Sequence, residues 1–157
     1  MERLWAGWRG EYVEGADNAE GCVLCRVLEG DEYVLWRGRS CAAILNAYPY
    51  TSGHLMVLPV RHVGEIEALS DDESRELWRG VHAGVVALKA AYAPHGLNIG
   101  ANLGRVAGAG VPGHFHVHAL PRWDGDTNFM TSVAETRVLP EALSATFDKV
   151  RAAWPGT

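Results

Sequence analysis

The sequence predicts an α+β domain, an antiparallel sheet covered by one long helix with a second helix near the C-terminus, and three observations carry that expectation. Short apolar or alternating runs at about 33–37, 40–46, 53–59, 97–102 and 114–120 have the length of strands and are bounded by turn residues. Ser70-Asp71-Asp72-Glu73 is a capping box, and Leu77, Val81, Val85, Leu88 and Tyr92 follow at helical spacing until Pro94 stops the pattern. Several strands then precede a single long helix, which is the order of an antiparallel sheet with its helices segregated to one side.

Taken in order, residues 1–20 read as an irregular extension in which Trp5 and Trp8 are docking anchors and Asp17-Asn18 a turn. Residues 22–28 form a short helix. The stretch Tyr48-Pro49-Tyr50-Thr51-Ser52-Gly53 is a hairpin loop longer than two residues. The long helix lays its aliphatic stripe on one face of the sheet, and its acidic start, Asp71, Asp72, Glu73 and Glu76, suits the positive end of the helix dipole without a metal. Cys41 alternates with Ala43 and Leu45 and belongs to the core. His82 and His95 read as solvated or capping groups. Residues 129–157 are a C-terminal extension whose helix, after Pro140, turns Leu143, Phe147 and Val150 inward. No repeats or linkers divide the chain, so the whole of 1–157 is expected to be one domain.

Composition narrows the function. At 157 residues the chain can bury on the order of two thirds of its unfolded surface. Hydrophobic content of 48% and charged content of 21% are globular values. A net charge of −5 without any cluster of Lys and Arg argues against a nucleic-acid partner. There is no apolar run of signal-peptide or membrane-span length, and three cysteines, two of them as Cys22-x-x-Cys25, suit metal or redox chemistry in a reducing compartment. The expected location is the cytoplasm, with no membrane partner.

The chemistry is concentrated in Gly113-His114-Phe115-His116-Val117-His118-Ala119. On a strand, side chains repeat every second residue, so His114, His116 and His118 would share one face while Phe115, Val117 and Ala119 face the core. Two readings fit. One is a zinc site in which a His-x-His pair shares the metal with a third histidine. The other is nucleophilic catalysis, in which a neutral imidazole attacks phosphorus. Ordinary satisfied histidines are the plainer alternative, although three polar rings on one face need partners if buried. The run is entered from Gly104-Arg105-Val106-Ala107-Gly108-Ala109-Gly110-Val111-Pro112-Gly113. Its glycines allow positive φ and close backbone approach to phosphate oxygens.

With apolar residues between its histidines, this run resembles the signature of the histidine triad superfamily of nucleotide hydrolases and transferases. Ile44 to Pro59, with Gly53-His54 inside it, is similar to the family's strand, loop and strand segment, and Leu97-Asn98-Ile99-Gly100-Ala101-Asn102-Leu103-Gly104 to the strand before its phosphate loop. Together the similarity spans roughly residues 22 to 128. Pro121-Arg122-Trp123, the following Gly125-Asp126-Thr127-Asn128-Phe129 and the opening Leu4-Trp5-Ala6-Gly7-Trp8-Arg9 resemble a bacterial set that includes diadenosine tetraphosphate phosphorylases. A Gln that the animal hydrolase branch carries near Ala109 or Gly110 is missing, which favours inorganic phosphate over water as second nucleophile.

The resemblance implies roles. His116 is the nucleophile that forms a nucleotidyl-imidazole, His118 donates to the bridging or leaving oxygen, and His114 completes the catalytic row. Asn46 binds the ribose hydroxyls, with a turn-flanking Asn as the alternative; His54 supports the phosphate side, with a structural hydrogen bond as the alternative. Asn102 contacts phosphate beside Gly108 and Gly110 of the loop, while Asn98 is structural. Trp123 stacks on a base or lies in an interface. Cys22 and Cys25 with His62 and His114 match a structural zinc site in related bacterial proteins, the alternative being a metal-free, packed cysteine pair. No organic cofactor is expected. The implied activity is cleavage of a diadenosine polyphosphate at the α-phosphorus in a homodimer whose sheets join. Alternatives are a nucleoside phosphoramidate or mononucleotidyl hydrolase, or a nucleotide-binding protein of low turnover.

Overall fold

The computed structural model describes residues 21–126 and 141–156. The expectations for Trp5, Trp8, Asp17-Asn18 and residues 127–140 fall outside that range. The described elements are helix α1 (Val23–Glu29), strands β1 (Val34–Arg37), β2 (Cys41–Leu45) and β3 (Leu55–Pro59), a short 3-10 turn (Ile66–Ala68), helix α2 (Asp71–Tyr92), strands β4 (Gly96–Gly100) and β5 (Val117–Arg122), and helix α3 (Leu143–Ala152). The five strands form one antiparallel sheet in the order β1-β2-β3-β5-β4. This is the α+β architecture that the sequence predicts.

Alternation sorts the strand residues onto two faces. Cys41, Ala43 and Leu45 of β2, Leu55 and Val57 of β3, and Val117 and Ala119 of β5, with Phe115 just before β5, pack against Leu77, Val81, Ala87 and Leu88 of α2 and Val150 and Trp154 at the C-terminal end. Their neighbours Ala42, Ile44, Met56 and Leu58 point the other way, onto Leu24 and Leu28 of α1, with Cys22 and Val111. Both faces of β2 and β3 are therefore covered, which explains their unbroken apolar runs. His118 pairs with Met56 and so lies on the α1 side, away from the long helix.

The helix α2 begins as the capping box requires: Ser70 accepts from the Glu73 N–H while the Glu73 carboxylate accepts from the Ser70 N–H. Its acidic residues do more than answer the dipole. Glu73 also takes a two-pronged ion pair from Arg61, at 3.0 and 2.9 Å. Glu76 accepts the backbone N–H groups of Arg39, Ser40 and Cys41 and ties the β1–β2 turn to the helix. Gly80 permits the close seat of α2, because a Cβ there would lie 2.9 Å from Val57 Cγ1 and 3.0 Å from the Trp36 ring.

One boundary differs from the expectation in a way that matters. The ladder between β3 and β5 begins at Val57↔Val117, so His114 and His116 precede the strand that was expected to start at 114. The backbone on either side is engaged elsewhere: the His114 N–H donates to the Val111 carbonyl and the Phe115 N–H, between the two histidines, to the Val63 carbonyl. Even so, Phe115, Val117 and Ala119 are all in the core beneath α2.

Candidate active site and metal cluster

The middle histidine is held by its own chain. His116 is 7% exposed, and its Nδ1–H donates to the His114 carbonyl at 2.7 Å. With the proton fixed on Nδ1, Nε2 keeps the lone pair. Burial pushes the ring's pKa below the ordinary histidine value, outweighing the carbonyl bond that favours the charged form. The ring is therefore a neutral imidazole at neutral pH, the state in which it can act as a nucleophile.

His118 is oriented by a second chain of contacts, which starts at a backbone amide. The Tyr50 N–H donates to His54 Nδ1 at 3.1 Å, so the His54 proton sits on Nε2. That nitrogen lies 2.9 Å from His118 Nδ1, which must accept, and the His118 proton is thereby placed on Nε2. The His116 and His118 rings meet edge to face with centroids 4.9 Å apart, and Tyr50 covers both His54 and His118. Asn46, just past β2, accepts the Tyr48 N–H at 3.0 Å and places its amide nitrogen 3.3 Å from His54 Nδ1. In this structure it closes the loop and touches His54.

The loop from Gly104 to Gly113 carries the expected backbone freedom, with φ of +79° at Gly104 and +95° at Gly108. Its donors are partly engaged. The Gly108 N–H donates to the Arg105 carbonyl and the Ala109 N–H to the Gly104 carbonyl, so Gly108 supplies shape here rather than a donor for phosphate. Asn102 donates from Nδ2 to the Gly108 carbonyl at 3.2 Å and braces the loop. Gly110 lies between the buried Ala109 and Val111. Asn98 accepts from Arg122, a structural contact. Trp123, one residue past β5, packs edge-on against Tyr92.

His114 belongs to another group. The ligand atoms of Cys22, Cys25, His62 and His114 all lie within 4.8 Å of one another. His114 Nδ1 is 3.4 Å from both sulfurs, and His62 Nδ1 is 3.4 Å from Cys25 Sγ. A tetrahedral site with ordinary zinc–sulfur and zinc–nitrogen bonds spaces S and N about 3.5 Å apart. The His114 Nε2–H donates to the Pro59 carbonyl at 2.8 Å, which turns the Nδ1 lone pair toward the sulfurs. Burial first, then the nearby His62 and His116, hold the His114 pKa at about 4, so this ring is neutral as a ligand must be. Burial and the neighbouring Cys22 raise the Cys25 thiol to about 11, and a divalent cation is the charge that would offset two thiolates there. These residues fit zinc: two sulfurs and two nitrogens close the tetrahedron and leave no position for substrate. The idea that the histidine row itself binds one metal is not supported by the geometry, because His114 is the member of the row that faces this cluster among the described residues.

Three contributors had no mark in the sequence: the Tyr50 N–H, the Pro59 carbonyl and the Arg61–Glu73 pair beside His62. The first two are backbone groups, which residue type does not announce. Among the remaining histidines, His82 is exposed and His95 accepts from the Asp124 N–H at the surface.

Comparison with known proteins agrees with the geometry. The model of the HIT domain matches residues 27–125. The chain is 38% identical to the AP-4-A phosphorylase of Mycobacterium tuberculosis, over 98% of this chain and 85% of that protein. Among solved structures, a hypothetical histidine triad nucleotide-binding protein from Sulfolobus tokodaii superposes with a TM-score of 0.69 at 29% identity, covering 84% of this chain and 91% of that one. A Zn-bound histidine triad family protein from Mycobacterium smegmatis superposes with a TM-score of 0.71 at 25% identity, covering 87% of this chain and 94% of that one. The chain belongs to the HIT domain family and is an enzyme of the histidine triad type, a nucleotidyl hydrolase or transferase.

Proposed function

We propose that this enzyme cleaves a diadenosine polyphosphate, the tetraphosphate foremost, at the α-phosphorus through a covalent adenylyl group on His116, and passes that group to inorganic phosphate. The observation that carries the proposal is the buried, neutral His116 with its proton directed to the His114 carbonyl and its lone pair on Nε2. The 38% identity to a protein named AP-4-A phosphorylase supports the substrate and the second nucleophile. The absence of Gln at Ala109 and Gly110, near where the hydrolase branch carries it, fits the same choice.

The steps follow from the two ring states. His116 Nε2 forms a bond to the α-phosphorus while the bond from that phosphorus to the bridging oxygen breaks. His118 donates a hydrogen bond from its Nε2–H to the bridging oxygen and keeps the proton, ATP departs as its anion, and the His54 Nε2–H at 2.9 Å holds the His118 Nδ1 behind it. Phosphate then attacks the adenylyl-imidazole, ADP leaves and His116 is restored. Diadenosine tetraphosphate plus phosphate thus becomes ATP plus ADP.

A structural zinc on Cys22, Cys25, His62 and His114 belongs to the same reading. So does a homodimer joined through β4, one of the two outer strands, on which Asn98, Ile99 and Gly100 are exposed. Among the described residues no helix is long and apolar enough to cross a membrane. A cytoplasmic location suits cysteines that are free in the structure. The test is incubation of the purified protein with diadenosine tetraphosphate, with and without phosphate. Equal amounts of ADP and ATP that appear only with phosphate are expected. AMP and ATP formed without phosphate would make it a hydrolase, and tight binding with no product would make it a nucleotide sensor.

A further inference from the structure

The run from His114 to His116 lies ahead of the first β5 ladder pair, Val57↔Val117, so the sheet does not fix the nucleophile. What fixes it is local. The Phe115 N–H donates to the Val63 carbonyl, the His114 ring donates to the Pro59 carbonyl, and Gly64 is so close to the incoming chain that a Cβ would stand 2.7 Å from the Pro112 carbonyl oxygen. Each of these partners sits on the 59–64 segment that carries His62. The four ligand residues therefore join the start of α1, the segment after β3 and the triad run at one point. Without a cation, the sulfur contacts at that point are 3.4 Å pairings of thiol and imidazole, which are weak.

His114 has tethers on two sides. Its ring faces the sulfurs and its carbonyl accepts the His116 Nδ1–H. We infer that the Cys22/Cys25/His62/His114 cluster controls the nucleophile: a divalent metal held there fixes the His114 carbonyl and so keeps His116 in its Nδ1–H form with Nε2 ready to attack. The cluster is then a control point for catalysis as well as a clamp on the fold. His118 is outside its reach, because the Tyr50 N–H and His54 set its proton from the other end, on paired strand. The catalytic consequence rests on His116 being the nucleophile; the positional claim does not.

The experiment compares the full chain loaded with zinc and stripped by chelator, with metal content measured directly. Long-range proton–nitrogen correlation spectra of histidine-labelled protein read each ring's tautomer. In the stripped protein His116 is expected to lose its single Nδ1–H pattern while His54 and His118 keep theirs, and added zinc restores it. Formation of the adenylyl adduct in a single turnover falls roughly ten-fold or more, with nucleotide affinity little changed. A His116 pattern that is the same in verified metal-free, folded protein overturns the inference. Should the stripped chain lose its far-ultraviolet circular dichroism, cadmium replaces zinc as the second arm. Its longer bonds to sulfur displace His114, so the His116 nitrogens must shift and those of His54 must not; identical His116 signals with the two metals overturn the inference equally. Lack of turnover on every dinucleoside polyphosphate would sink the functional reading, and the histidine spectra would still decide this one.

Discussion

The two ends of the histidine run are held by opposite means. His118 lies on the sheet, paired with Met56 on one side and Gly100 on the other, and its tautomer follows from a backbone amide through His54. His114 lies off the sheet, completely buried, and is held by its ring to two sulfurs and a carbonyl. His116 stands between and takes its alignment from the second end. Strand pairing resists perturbation because many bonds share the load, whereas a side-chain cluster fails when one member is removed. His118 should therefore be robust toward distant changes and the nucleophile sensitive to them.

The largest effect is expected at the centre. His116→Ala should lower turnover at least about 10³-fold while leaving nucleotide affinity nearly unchanged, since a removed nucleophile has no substitute. Turnover and equilibrium binding, measured side by side, check this. At the sheet end, His54→Leu removes the donor that sets His118. A fall in kcat of about 10²-fold is expected, with little change in KM and a displaced acidic limb of the pH profile. Equal losses in kcat and KM would show that His54 only supports packing.

At the cluster end, Cys25→Ser should abolish stoichiometric zinc and lower the melting temperature on the order of 10 °C, because metal binding is linked to folding. Elemental analysis and thermal unfolding measure both. A smaller change is expected from Glu73→Gln, which loosens Arg61 next to His62. The Arg61 guanidinium, with help from Ser70, holds the Glu73 carboxyl down to about 2. Its folded pKa is depressed, so the stability it adds is complete above the normal carboxylate range near 4.3 and is lost as pH falls toward 2. The melting temperature of the variant should accordingly fall less than that of the parent between pH 5 and pH 2.5, and equal slopes would show that Glu73 is not the group responsible.

What the sequence disclosed follows the same division. Strands and helices were legible because alternation and helical spacing repeat over many residues: β2 and β3 as apolar runs, and α2 from its capping box to Pro94. The cluster residues could be named from the Cys22-x-x-Cys25 spacing and the family likeness, and the structure gathers all four. The start of β5 was not legible. Period-two spacing extends to His114, yet the contacts that lift His114 and His116 off the ladder are backbone bonds to Val63 and Val111, for which residue type gives no signal. Trp123 is expected from sequence beside a base or in an interface; its contact with Tyr92, at the far end of α2 and 31 positions earlier in the chain, is one that residue type does not announce. The glycine loop was read correctly for its freedom and incompletely for its donors, because the Gly108 N–H turns inward to Arg105.

The most direct measurement is to trap the intermediate. The protein is mixed with diadenosine tetraphosphate without phosphate, quenched at alkaline pH to preserve a phosphorus–nitrogen bond, digested, and its peptides are weighed by mass spectrometry. One adenylyl group on His116, discharged as ADP when phosphate is added before the quench, is the predicted result. Turnover that proceeds with no adduct, or with the adduct on another residue, would contradict it.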